Sequence, residues 1–104
     1  EVLRADIPES AEAVRLRVLA ARAWQDERGG PNARIPVDAL DRVAPIDGDG
    51  ARLLDDAERR LALSPRALHR VQRVARTLAD LDGCTAIGAE HVAEAVGLRL
   101  GAIA

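Results

Sequence analysis

The sequence predicts an all-α domain, a compact bundle of four to five helices, and three observations carry that expectation. Ala, Leu and Arg dominate, while Phe, Tyr and Met are missing and Trp24 is the one aromatic residue, so helix formers far outweigh β-branched or aromatic alternation. Apolar residues recur at helical spacing in stretches punctuated by Gly, Pro and Asp-Gly. The connections between those stretches are short, which favours neighbouring antiparallel helices. A length of 104 residues, 48% of them hydrophobic, supports one core and one domain.

Residues 1–8 carry no helical period and end at Pro8; they read as a lead-in from an upstream domain, with 9–104 as the domain proper. Ser10 is placed to cap a first helix running to about Arg28, with Glu12 favourably placed in its first turn. Val14, Val18 and Ala21 recur on one face, and Leu16, Leu19 and Ala23 widen the apolar surface. So broad a surface predicts contact with more than one neighbour. Trp24 is expected to anchor this helix in the core.

Gly29-Gly30-Pro31-Asn32 stops the helix. A short helix over Val37–Val43 follows Pro36, and Pro45 prevents its extension. Ile46-Asp47-Gly48-Asp49-Gly50 reads as a turn; its acidic residues lack the further ligands and closing Glu of a calcium loop. A third helix over about Ala51–Leu61 gathers Leu53, Leu54, Ala57 and Leu61, with Asp55–Arg59 and Asp56–Arg60 as solvated pairs.

The central stretch, Ser64 to Leu81, has the clearest helix start in the chain. Ser64 caps, and Pro65 occupies the first helical position, where its missing N–H costs nothing. Ala67, Leu68, Val71, Val74, Ala75, Leu78 and Leu81 share one side, until Asp82-Gly83 ends the pattern. Cys84–Gly88 is a connector to a last helix, about Ala89–Arg99, with Val92, Ala95, Val96 and Leu98 inward and a fraying tail from Leu100.

Several function classes are excluded. All 15 basic residues are Arg, so neither a phosphate loop ending in Lys nor lysine covalent chemistry can be built here. The net charge of −2 does not itself point to nucleic acid. Cys84 is alone, which rules out an internal disulfide and a cysteine-based metal site and fits a cytoplasmic protein. No apolar run approaches spanning length, and the opening residues do not show a signal-peptide pattern. His69 and His91 lack partners at ligand spacing, Glu90 and Glu94 read as a wet helix face, and Ser64 is a cap rather than a nucleophile. No metal site is expected. Glu1 in place of Met predicts a piece of something longer.

Arg66 is the misplaced residue. A cation in the first turn faces the positive end of the helix macrodipole, costing about 0.3–1 kcal/mol at an exposed site. Either the side chain swings into solvent, or an anion sits at the helix start. Arg66, Arg70 and Arg73 fall within roughly 60° of one another opposite the apolar side, so any anion would meet three guanidinium groups.

Three separated blocks, spanning roughly 9–99, carry a family likeness. They are Ala13-Val14-Arg15 with Arg17-Val18, Ala21-Arg22, Gln25 and Arg28 before Gly30-Pro31-Asn32-Ala33; Leu63-Ser64-Pro65-Arg66-Ala67 with His69-Arg70-Val71 and Val74 through Leu81; and Ile87 with Glu90-His91-Val92-Ala93-Glu94-Ala95. Together they resemble the C-terminal helical lid of magnesium-chelatase-like AAA+ ATPases, and most closely the bacterial competence-associated branch-migration ATPases. The resemblance implies that Arg66 is the sensor-2 arginine, reaching the γ-phosphate of ATP in the parent, in cis or in trans. Arg70 and Arg73 would then be nucleotide-binding or interface residues.

It further implies an upstream AAA+ core in the same chain and neighbouring subunits of a ring, expected to be a hexamer. ATP and Mg²⁺ would serve the parent, with no cofactor and no activity in this fragment alone. Walker A, Walker B and the arginine finger are absent here, Gly88 stands where such helices often carry a better cap, and Gly48–Gly50 matches loosely. The parent is expected to be a DNA-remodelling motor. The alternatives are a genuine magnesium chelatase subunit and a stand-alone helical binding module, whose Arg66, Arg70, Arg73 and Arg76 would grip nucleic-acid phosphates or an acidic protein. No membrane partner is expected.

Overall fold

Five α-helices and two single-turn 3-10 helices make up the computed structural model, which describes residues 9–103, with side chains described through Arg99. The lead-in 1–8 and Ala104 lie outside the described residues. Helix α1 spans Ala11–Arg28, α2 Leu40–Val43, α3 Gly48–Leu61, α4 Pro65–Leu81 and α5 Ala89–Ile103, with 3-10 turns at Asn32–Arg34 and Val37–Ala39. The all-α expectation holds. No described helix is long and apolar enough to cross a membrane.

The caps explain the boundaries. Ser10 Oγ accepts from the Ala13 amide and Ser64 Oγ from the Ala67 amide, with Pro65 beginning α4 as expected. Helices α1 and α4 end in the same way. Gly29 and Gly83 adopt left-handed conformations (φ 111° and 74°), and the following residues, Gly30 and Cys84, donate back to the carbonyls of Gln25 and Ala79. That double hook satisfies the last free carbonyls and needs glycine at the left-handed position.

Helix α4 is the hub. It packs against α5, α1, α2 and the Asn32–Arg34 turn, while α3 packs against α5. Ile35, Leu40, Ala44, Val71, Ala75, Ala79, Ile87, Val92 and Ala95 form the continuous core. Ile46 and Ile87 meet in a single parallel bridge, with the Asp47 amide on the Ile87 carbonyl and the Ile87 amide on the Pro45 carbonyl. That bridge pins the entry to α3 against the entry to α5.

The structure corrects several sequence expectations. Helix α3 starts at Gly48 rather than Ala51, because Asp47 caps it by accepting from the Gly50 amide; the supposed turn is the first helical turn. Gly50 is buried, and a Cβ there would come within 2.7 Å of Ile46 Cγ2 and 3.2 Å of the Ile87 carbonyl oxygen, so close approach selects glycine. Arg59 pairs with Asp56, as Arg60 does, rather than with Asp55. Helix α5 continues to Ile103 instead of stopping near Arg99.

Leu98, expected inside, is 55% exposed, and Trp24 is 36% exposed, lying over the Gly83 turn instead of in the core. Arg76, grouped with the outward arginines in the binding-module reading, is 1% exposed. Its position is the largest departure from the helical-wheel picture.

Candidate functional site: an arginine groove beside a buried ionic knot

The N-terminal half of α4 presents Arg66, Arg70 and Arg73 one turn apart, with Thr77 continuing the stripe. Opposite them runs the Asn32–Arg34 turn. Between the two lies a groove of about 450 Å³ lined by Ala33, Arg66, Arg70, Arg73, Val74 and Thr77. The three arginines singled out by the sequence are therefore brought together.

They are not equivalent. Arg66 and Arg70 are exposed, and among the described residues neither has a hydrogen-bond or ion-pair partner. Arg73 is half-buried and already engaged, donating from Nε and Nη2 to the Ile35 carbonyl at 3.0 and 2.8 Å. A guanidinium fork on one carbonyl holds the far wall of the groove against α4. Arg66 and Arg70 remain free to meet an anion, and Arg73 positions the wall facing them.

One turn further along α4 the same residue type does something different. Asp80, almost fully buried, accepts from Arg28 Nη1 and Nη2 at 2.8 and 2.6 Å, from Arg76 Nε at 3.0 Å and from Asn32 Nδ2 at 2.9 Å. Arg76 reaches the Thr85 and Cys84 carbonyls of the connector at 2.8 and 2.6 Å, with a longer bond from Nη1 to the Val43 carbonyl at 3.5 Å. Asn32 Nδ2 also donates to Thr77 Oγ1, at 3.0 Å. Gln72 adds a bond to the Ala44 carbonyl at 3.0 Å. Within this cluster the buried charges of Arg76 and Asp80 are both paired and hydrogen-bonded, as the cost of burial requires.

The electrostatics follow from that geometry. Burial opposes the charged carboxylate of Asp80, yet the bonds from Arg28 and Asn32 and the charges of Arg76 and Arg28 outweigh it and hold its pKa below the usual carboxylate value. The Asp80 bond raises the Arg28 guanidinium above its ordinary value against the pull of partial burial. Burial lowers Arg76, only partly offset by Asp80. The knot joins α1, the Asn32–Arg34 turn, α4 and the connector, so it fixes both walls of the groove.

Sequence reasoning missed Arg28, Asn32 and Asp80 as a unit. It read Gly29-Gly30-Pro31-Asn32 only as a helix stop. The available signal was Arg28 and Asn32 bracketing a tight glycine turn, within reach of an Asp on the central helix. His91 was likewise read only as a residue without ligand partners. It is buried, with Nδ1 accepting from the Gly88 amide at 3.0 Å and Nε2 meeting Asp82 at 2.9 Å. The third residue of α5 thus reaches back to cap it, which explains how the helix starts after glycine.

The groove lining carries no carboxylate. By charge it suits an anion, and it offers no carboxylate to a hard cation.

Comparisons with known proteins find relatives along nearly the whole chain. The competence protein ComM of Haemophilus influenzae is 40% identical over 95 residues, covering 90% of this chain and 19% of that protein. The uncharacterized protein YifB of Salmonella typhimurium is 38% identical over 92 residues, covering 88% of this chain and 18% of its own length. The chain thus spans under a fifth of the curated relatives it matches. No solved structure matches it at a significant level. Residues 8–99 match the family described as magnesium chelatase, subunit ChlI C-terminal, and since that match takes in nearly the whole chain, the protein belongs to this family.

Proposed function

We propose that the chain is the C-terminal helical lid of a magnesium-chelatase-like AAA+ ATPase, and that Arg66 reads the γ-phosphate of ATP bound in the parent. One observation carries the reading: Arg66 stands at the start of α4 without a partner among the described residues and lines an arginine groove, where a helix N-terminus and a guanidinium favour the same anion. Arg70 lies one turn deeper as a second phosphate or interface contact. Arg73 keeps the opposite wall in place. In phosphoryl transfer such an arginine stabilises charge on the transferred group, and Mg²⁺ held in the core would neutralise the remainder.

The parent is then a ring-forming cytoplasmic ATPase, a hexamer in this reading, in which the lid moves as a rigid body with its nucleotide. The ionic knot favours rigid movement, because it clamps four segments to one another. The 40% relative carries the name of a competence protein, which favours DNA-remodelling work over metal insertion. The family description supports the second reading, a true chelatase subunit.

The deciding experiment is steady-state ATPase of the full-length parent, wild type against Arg66→Ala, with and without branched DNA. We expect turnover to fall about tenfold or more while folding and assembly persist, and DNA to stimulate the wild type. Unchanged turnover returns Arg66 to the solvated surface and sinks the sensor reading. Absent stimulation by DNA favours the chelatase.

A further inference from the structure

Helix α1 carries two apolar faces, and the domain covers only one of them. Its packed side, formed by Val18, Ala21, Gln25 and Arg28, lies against α4, the one element it contacts extensively. On the opposite side Leu16, Leu19, Ala20 and Ala23 recur at i, i+3, i+4 and i+7, within an arc of roughly 100° at helical spacing. All four are exposed, Leu16 at 54% and Leu19 at 47%. That is the spacing of a helix built to be covered, and two exposed leucines with small residues between them invite close approach of an apolar partner. Glu12, Asp26 and Glu27 border the stripe, as a polar rim borders an interface core.

We infer that the Leu16–Leu19–Ala20–Ala23 face of α1 is the docking surface for the part of the parent chain that precedes this domain. The family is a C-terminal one, and the relatives are about five times the length of this chain, so their remaining four-fifths is the available cover. Helix α1 is also the first element among the described residues, so of these it is the one nearest in sequence to that preceding part. The occupant is an apolar helix or sheet face of the same polypeptide. The inference rests on reading the chain as the C-terminal part of a longer ATPase, and it adds which face holds the two parts together.

Thiol labelling of the full-length parent tests it. Leu16→Cys and, separately, Leu98→Cys are placed in a parent whose other cysteines, Cys84 included, are changed to Ser. Leu98 is as exposed in the domain as Leu16 but lies on α5, away from the stripe. We expect a maleimide to label Leu16→Cys about tenfold or more slowly than Leu98→Cys under native conditions, with protection independent of protein concentration and lost on denaturation. Equal labelling rates overturn the proposal. Protection that vanishes on dilution also overturns it, because the cover is then a second copy. The Arg66→Ala ATPase result is independent of either outcome, so a failed sensor and a failed docking face can be told apart.

Discussion

The two halves of α4 use arginine in opposite ways. At its N-terminal end Arg66 and Arg70 are exposed and have no partner among the described residues. At its C-terminal end Arg76 is among the most buried side chains of the protein, joined to Asp80, Arg28 and Asn32. The residue type is the same, and so is the helix. What differs is the supply of acceptors: a buried carboxylate and two connector carbonyls surround Arg76, while no described residue offers an acceptor to Arg66. A guanidinium satisfied internally is architecture, whereas one left open on a groove is available to a ligand. Arg73, half-buried on the Ile35 carbonyl, is the hinge between the two uses.

The largest effect expected from breaking this contrast is at Asp80. Asp80→Asn leaves Arg76 and Arg28 buried or half-buried beside a neutral amide, and should destabilise the fold by about 3–5 kcal/mol, read from urea or thermal unfolding. The pH dependence has a definite sign. The folded-state pKa of Asp80 lies below its ordinary value, so the knot contributes fully above the ordinary carboxylate range. That stability drains away as pH falls through the lower folded value of Asp80. In Asp80→Asn that portion of the acid dependence should be missing. An Asp80→Asn protein as stable as wild type, with an unchanged acid limb, would mean the knot is ornamental.

Arg73→Ala should have an intermediate effect. It removes two bonds to a carbonyl that lies between α4 and the 3-10 turn, costing about 1–3 kcal/mol if the Ile35 carbonyl is left unsatisfied. Faster hydrogen exchange should be confined to residues 32–36, the far wall of the groove, while the core of α4 and α5 stays protected. Exchange that rises everywhere would assign Arg73 to the global core instead.

How much of this was legible follows the same divide. Local signals read well: Ser10, Ser64, Pro65, Gly29 and Gly83 act through their own backbone, so α1 and α4 begin and end where the sequence places them. The stripe of Arg66, Arg70 and Arg73 was also legible, because a helix fixes their relative angles without help from neighbours. Burial was harder to see. Arg76 lies roughly 80° around the helix from Arg66 and no nearer the predicted apolar side, so a wheel places it in solvent; Asp80, Arg28 and the connector carbonyls bury it instead. Trp24 and Leu16 show the converse, since apolarity marks a face that wants a neighbour without saying whether this domain provides one.

The smallest expected effect is the most diagnostic. Arg66→Ala and Arg70→Ala remove side chains that touch nothing within the described residues, so each should change unfolding stability by no more than about 0.5 kcal/mol. Arg66→Ala should be neutral or slightly stabilising, because a cation leaves the positive end of the α4 dipole. The same substitutions should weaken binding of inorganic triphosphate to the full-length parent, and Arg66→Lys should restore it only in part, since an ammonium keeps the charge but loses the fork. A stability-neutral residue whose loss is felt only by an anion has no structural reason to be arginine at that position. If Arg66→Ala instead destabilises the fold as Arg73→Ala does, the contrast between the two halves of α4 collapses, and the groove becomes one more part of the scaffold.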